Sequence, residues 1–192
     1  MARSAAIERN TKETQIQLTV NLDGGEVRVD TGIGFFDHML TAFGFYAKIG
    51  LTVQATGDLE VDGHHTVEDV GICLGLALKE ALGDRQGIRR FGSSYVPMDE
   101  ALTFTALDFS NRPYLVFDAE MPQAQIGSYD SCLTREFMRA VAVNAGITLH
   151  QKCFYGCNAH HITEGLFKSF GMAVRDAVRQ EGSGVVSTKG VL

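Results

Sequence analysis

His64-His65-Thr66-Val67-Glu68 and His160-His161-Ile162-Thr163-Glu164 are one pattern, H-H-x-x-E, written twice at a spacing of 96 residues. The surrounding sequence keeps that spacing. Gly50-Leu51-Thr52-Val53 falls on Gly146-Ile147-Thr148-Leu149, and Gly75, Ala77 and Ala81 fall on Gly171, Ala173 and Ala177. Apolar positions follow, with Leu74 on Phe170, Leu76 on Met172 and Leu78 on Val174. A repeat of this length has the size of a small domain and is too long for a solenoid unit. The chain therefore reads as an internal duplication, aligned without a gap across the motif.

Each half carries the same element signals. Ile16, Leu18, Val20 and Leu22 alternate, which predicts a strand with one buried face. Asp23-Gly24-Gly25 turns the chain and Val27 and Val29 alternate again, which predicts a hairpin. Residues 35–47 are apolar without alternation and predict a helix; 50–62 predict a strand, and 65–82 a helix stopped by Gly83. The second half predicts strands near 98–109 and 114–119, joined by a turn at Asn111-Arg112-Pro113. A helix near 131–145, a strand near 147–155 and a helix near 160–179 follow. The expected fold class is α+β, a ββαβα unit made twice, with helices layered on sheet. Its repeats run over 1–92 and 93–192 as one compact unit, with 83–97 as the link. The Gly/Ser-rich tail from Glu181 reads as frayed.

Composition narrows the function classes. A net charge of −6 and a pI near 5.5 argue against a general nucleic-acid binder. No apolar run approaches the roughly 20 residues that cross a bilayer, and Met1-Ala2-Arg3-Ser4 lacks the apolar core of a signal peptide. A cytoplasmic location is the expectation. Cys73, Cys132, Cys153 and Cys157 form no C-x-x-C pair and fit reduced thiols.

The repeated motif carries the chemistry. Residues three and four apart on a helix share a face, so each copy presents imidazole and carboxylate together. That pairing suits manganese, iron, nickel or zinc. Paired histidines also open ordinary surface helices, but two copies at matched spacing favour ligands. His38, in Phe36-Asp37-His38-Met39, matches Glu136 once a two-residue loop shift is allowed. His150 has Gln54 as its counterpart and reads as a strand residue. Arg89 and Arg90 lie in a glycine-flanked loop, Arg112 lies in a turn, Lys168 follows Glu164 by one helical turn, and Ser187-Thr188-Lys189-Gly190 closes the chain. Loop cations of this kind suit a small anion such as phosphate. Gly32-Ile33-Gly34 lacks the third glycine of a dinucleotide fingerprint. A dinuclear hydrolase and a metal-holding shell without catalysis share these features.

Five ordered stretches go further. Thr31-Gly32-Ile33-Gly34-Phe35-Phe36-Asp37-His38-Met39-Leu40, His64 to Gly71, Asp108-Phe109-Ser110-Asn111-Arg112-Pro113, His160 to Glu164, and Ser187 to Leu192 resemble the imidazoleglycerol-phosphate dehydratase family, from about Ile7 to the last residue. No phosphatase domain precedes them, as in the family's monofunctional form. The resemblance implies a duplicated ββαβα fold of the ribosomal-protein-S5-domain-2-like type. The implied reaction is dehydration of imidazoleglycerol phosphate to imidazoleacetol phosphate in histidine biosynthesis. It implies two manganese ions per active site, held by His38, His64, His65, Glu68, Glu136, His160, His161 and Glu164. Glu136 stands where members often have histidine, and Tyr46 stands where they commonly have a histidine near the substrate phosphate. Glu13 is the implied proton-transfer residue, with Glu164 a second candidate. Substrate contacts are implied for Glu13, Tyr46, Arg90, Arg112, Lys168, Ser187 and Lys189. The implied assembly is a homo-oligomer of trimers forming shells of twenty-four chains, with active sites between subunits and no nucleic acid or membrane partner.

Overall fold

The computed structural model describes residues 3–190; Met1, Ala2, Val191 and Leu192, the last two closing the terminal motif, lie outside the described residues. Among the described residues, two four-stranded sheets enclose four helices. The first sheet holds β1 (Ser4–Asn10), β2 (Thr14–Asn21), β3 (Val27–Asp30) and β4 (Gly50–Gly57), in the order β1-β2-β4-β3. The second holds β5 (Phe91–Met98), β6 (Ala101–Asp108), β7 (Tyr114–Asp118) and β10 (Thr148–Tyr155), in the order β5-β6-β10-β7. A short ribbon of β8 (Gln125–Ile126) and β9 (Tyr129–Asp130) precedes the third helix. The helices are α1 (Gly34–Ala47), α2 (His64–Leu82), α3 (Leu133–Ala145) and α4 (Ala159–Ala177). The duplicated α+β architecture is as expected, with one more edge strand per half, β1 and β5.

Three expectations change. Asp23-Gly24-Gly25 does not close a hairpin: β2 pairs antiparallel with β4, and β3 lies on the other side of β4, parallel to it. The hairpins are β1–β2 and β5–β6. Residues 91–97, read as part of the link between halves, belong to β5, whose glycine and proline (Gly92, Pro97) mask a strand at the sheet edge, where proline is tolerated. Residues 181–186 of the tail are tied down rather than frayed. Gly87 N–H donates to the Gly184 carbonyl at 2.7 Å, Glu181 N–H donates to the Gly87 carbonyl at 2.8 Å, and Arg90 Nη1 donates to the Val186 carbonyl at 2.6 Å.

The halves also slip against each other. Helices α1 and α3 end on left-handed residues, Lys48 (φ 55°) and Gly146 (φ 65°), 98 positions apart. His38 and Glu136 keep that spacing, whereas the H-H-x-x-E motifs keep 96. The two-residue difference lies between strand end and motif, in residues 58–63 against residues 156–159. A strand repeats every two residues, so a slip of two leaves the buried set unchanged and goes unseen in the pattern.

Helix α2 lies on β1 and β2 and packs its other side on α3; α4 lies on β5 and β6 and packs on α1. Each helix pair therefore joins the two halves. The pairs approach closely at equivalent glycines. A Cβ at Gly75 would stand 2.8 Å from the Val141 carbonyl oxygen, and one at Gly171 would stand 2.6 Å from that of Phe43. Between the sheets runs one apolar core containing Leu18, Phe36, Phe43, Leu74, Phe137, Phe167 and Phe170. Burying a phenylalanine there stabilises by about 1.5–3 kcal/mol.

Candidate metal and substrate site

The loop before α1 sets the first expected ligand, His38. Asp37, one turn into the chain's reversal at Gly32, accepts from the Thr31 N–H at 2.8 Å and the Thr31 hydroxyl at 2.5 Å. That closes Thr31 to Gly34 into a fixed turn and points the neighbouring His38 towards α4. On α4, His160 Nε2 lies 3.1 Å from Glu164 Oε2, and His38 Nε2 lies 3.6 Å from the same oxygen. Phe35 supports His160 edge-on, with ring centroids 4.9 Å apart. Lys168 Nζ donates to Glu164 Oε1 at 2.7 Å. Burial raises the Glu164 pKa, but Lys168 and His38 outweigh it and the carboxyl ends below its usual value. It is held ionised, as a ligand must be.

The ligand atoms of His38, His160 and Glu164 all lie within 4.8 Å of one another, the one such cluster of three among the described residues. Nitrogen and oxygen donors bind first-row metals at about 2.0–2.2 Å. Donors spaced at 3.1 and 3.6 Å can therefore share one ion without rebuilding the backbone. Mixed imidazole and carboxylate donors fit manganese as well as its neighbours. The residues present fit the implied metal.

The corresponding set on α2 and α3 is arranged differently. His64 Nε2 stands 3.9 Å from Glu68 Oε2. Glu68 Oε1 and Glu136 Oε2 both accept from Arg139, at 2.7 and 3.0 Å. These three expected ligands face one end of the α2–α3 pair but do not draw in to the spacing of the α1–α4 set.

The second histidine of each motif points elsewhere. His65 Nδ1 lies 2.9 Å from Asp58 Oδ2, leaving Nε2 at 3.9 Å from Glu13 Oε2. His161 Nδ1 lies 2.6 Å from Glu100 Oε2, leaving Nε2 at 3.5 Å from Asp99 Oδ2. The Asp58 hydrogen bond raises the pKa of His65, and the Glu100 hydrogen bond raises that of His161. Glu100 falls to about 2, held down by His161 and by the N–H groups of Asn158 and Cys157. A carboxylate on Nδ1 fixes the ring and presents Nε2, the usual support of a metal-binding histidine. Asp58, Asp99 and Glu100 were not singled out in the sequence; their only signal is an acidic turn beside each strand end. Arg139 gave no signal of its own.

The expected substrate contacts divide. Arg90, Arg112, Ser187 and Lys189 line one cavity of about 620 Å³ with Phe91, Val186 and Thr188. Arg90 is buried, its Nε and Nη2 donating to the two oxygens of Asp108 at 2.6 and 2.9 Å. Arg112 and Lys189 are exposed there. Lys168 is not in that cavity: its Nζ sits on Glu164 and 5.5 Å from the Tyr46 ring. Tyr46 is thereby placed with the α1–α4 set. Glu13, in the β1–β2 turn, faces His65, and His150 lies exposed on β10, away from the ligand clusters.

The profile of the imidazoleglycerol-phosphate dehydratase family matches residues 31–174. The chain is 56% identical to imidazoleglycerol-phosphate dehydratase of Acetivibrio thermocellus over all of both chains. It is 56% identical to that of Listeria welshimeri, over 99% of this chain and 100% of the relative. Among solved structures, the Staphylococcus aureus enzyme superposes with a TM-score of 0.85 at 37% identity, covering 92% of this chain and 99% of that one. The Pyrococcus furiosus enzyme, solved in complex with (S)-C348, gives a TM-score of 0.85 at 42% identity over 97% of this chain and 100% of that one. Fold, motif order and full-length similarity agree, and the chain belongs to the imidazoleglycerol-phosphate dehydratase family of hydro-lyases.

Proposed function

We propose that this chain removes water from imidazoleglycerol phosphate to give imidazoleacetol phosphate, in histidine biosynthesis, with two manganese ions per active site. The observation that carries the metal reading is the convergence of His38, His160 and Glu164 to within 4.8 Å. A bound divalent ion supplies Lewis acidity to the substrate's imidazole ring. The remaining work falls to side chains. Dehydration breaks a C–O bond, removes a proton from the adjacent carbon and delivers a proton to the departing hydroxyl. Glu13 is an exposed carboxylate held at the end of a tight turn, where Thr11 Oγ1 accepts from its N–H at 3.0 Å. In this reading Glu13 takes and returns that proton, a role its position beside His65 supports, and Glu164 serves the α1–α4 set chiefly as ligand. Arg90, Arg112, Ser187 and Lys189 bind the substrate phosphate in their shared cavity, which orients the reacting carbons. Lys168 and Tyr46 contact the substrate from the other side. Tyr46 offers a hydroxyl in place of a charge.

We also propose that the active site forms between copies of the chain, with trimers assembling to twenty-four. His64, His65, Glu68 and His161 do not join the three-ligand cluster within one chain. His65 and His161 present Nε2 at the surface, ready for a donor set on a neighbour. The outward face of the second sheet supports association, whereas that of the first is polar, with Glu8, Asn10, Gln15, Gln17, Gln54 and Thr56. On the second, Tyr95 packs on Phe104 and Phe154 at 4.5 and 5.8 Å, with Tyr95, Tyr155 and Tyr114 each more than 60% exposed. Large exposed apolar patches mark interaction sites. A cytoplasmic location goes with the biosynthetic role, and no described helix is long and apolar enough to cross a membrane.

Chelation should abolish dehydration and manganese should restore it; full turnover in metal-free protein rules the metal reading out. Release of inorganic phosphate in place of dehydration would identify a hydrolase instead. Glu13→Gln should keep its metal and lose about 10²–10⁴-fold in turnover; near-normal turnover removes Glu13 from proton transfer. Sedimentation velocity should show metal-free protein as the smaller species, with manganese driving the larger. Identical sedimentation would place the whole site within one chain.

A further inference from the structure

Glu164 and Glu68 are equivalent in the repeat, and in both the two carboxylate oxygens have separate tasks. Glu164 Oε2 faces His160 and His38 while Oε1 accepts from Lys168 at 2.7 Å. Glu68 Oε2 faces His64 while Oε1 accepts from Arg139 at 2.7 Å. The cations come from different places. Lys168 is one turn further along the same helix, and its counterpart on α2 is Ile72. Arg139 reaches across from α3, and its counterpart on α1 is Thr41. The α2–α3 set also carries a second carboxylate, Glu136, where the α1–α4 set has His38. Arg139 Nε holds that carboxylate too, at 3.0 Å. A fork with several N–H donors suits two carboxylates at once, which a single ammonium on the same helix does not.

We propose that Arg139 is the positioning residue of the α2–α3 donor set, fixing Glu68 and Glu136 by one oxygen each and keeping Glu68 Oε2 turned towards His64. The inference rests on the metal reading above. Two effects oppose each other when Arg139 is removed. A nearby positive charge is lost, which favours a cation, and two carboxylates lose their orientation and repel each other. Arg139 is half exposed, so solvent and salt screen the first effect. Partners that orient metal ligands typically account for about 10–100-fold in affinity. Orientation is therefore the larger effect, and removal weakens the metal.

The test is manganese binding to the full chain, followed by the electron paramagnetic resonance signal of free Mn(II), with thermal unfolding of the metal-free protein alongside. Arg139→Ala should weaken the affected manganese by about tenfold or more, and Arg139→Lys should recover only part, because one ammonium cannot hold two carboxylates as a fork does. Ile72→Lys in the Arg139→Ala background places a cation one turn beyond Glu68, as Lys168 lies beyond Glu164. It should recover affinity further than Arg139→Ala alone. Unchanged or tighter binding in Arg139→Ala overturns the proposal, and so does a lowered melting temperature with normal affinity, which would make Arg139 a purely structural bridge. Wild-type protein that takes up no manganese overturns the metal reading itself, and this inference with it.

Discussion

At the α1–α4 end the candidate ligands have already gathered, whereas at the α2–α3 end they are held at arm's length by an arginine. The fold is nearly the same at both ends, so the difference comes from a few substitutions. His38 against Glu136 changes the charge of the donor set, and Thr41 against Arg139 supplies the compensation. Lys168 against Ile72 moves the cation from helix to helix. A duplicated fold can thus keep its geometry while redistributing charge, because His38, Glu136, Glu68 and Arg139 lie outside the apolar core that fixes the helices.

The largest effect expected from breaking this comparison is on metal affinity. Glu164 is nearly buried and serves two imidazoles and Lys168, while Glu68 is more exposed and serves one imidazole. Glu164→Gln should lower manganese affinity by more than about 100-fold, beyond what a supporting partner contributes, and Glu68→Gln by less. Equal losses, measured by titration with Mn(II), would show that the preformed geometry confers no advantage.

Next come the helix contacts. Gly75→Ala and Gly171→Ala each force a methyl against backbone at under 3 Å. Overpacking of that kind costs about 1–3 kcal/mol. Gly182→Ala, with open space around it, should stay within about 0.5 kcal/mol of wild type. Thermal unfolding at fixed protein and metal concentration measures all three; a neutral Gly171→Ala would mean that α1 and α4 can slide apart freely.

The helix starts should differ less. His160 N–H donates to Asn158 Oδ1 at 2.9 Å, and His64 N–H donates to Asp62 Oδ1 at 2.7 Å. Asn158→Ala and Asp62→Ala should each cost about 1 kcal/mol. A much larger loss for one, seen in the same melts, would expose a further role for that residue.

The smallest effect is a pH slope. His65 and His161 have raised folded pKa values, so their pairs with Asp58 and Glu100 stabilise metal-free protein fully below the ordinary histidine value near 6.5 and lose that contribution as pH rises through the folded value. Glu100, lowered to about 2, contributes above its ordinary value near 4.5 and loses this as pH falls towards 2. Metal-free protein should therefore melt highest between those limits and fall on the alkaline side. Manganese should reverse the alkaline slope, because it binds neutral imidazole. Melting curves of Asp58→Asn and Glu100→Gln that keep the wild-type alkaline slope would remove these pairs as its cause.

Much of this was legible in the chain itself. The repeat, the four helices and the ligand motifs stand out because helical periodicity and histidine pairs are local signals. Strand order did not. Asp23-Gly24-Gly25 has the composition of a hairpin turn, yet β3 crosses to the far side of β4, a choice made by contacts between distant residues. Ser4 to Asn10 alternates too weakly to announce a strand. Glu100 was invisible as a partner because its histidine lies 61 residues on. Arg139 was invisible as a bridge because Glu68 lies 71 residues away on α2, while its i,i+3 pair with Glu136 reads as an ordinary surface pair. Arg90, Arg112, Ser187 and Lys189 stood out as cationic, glycine-rich loop segments, their joint role as substrate contacts came from resemblance, and the fold brings them to one cavity.

The crossed pairing of the helices, α2 with α3 and α1 with α4, has a consequence for how the chain is made. Synthesis proceeds at about 5–20 residues per second, so the first half waits roughly 5–20 s for the residues that cover it. During that wait the inner faces of α1 and α2, including Phe43, Val70 and Leu74, have no partner helix. The first half therefore completes its apolar core only when α3 and α4 have been made.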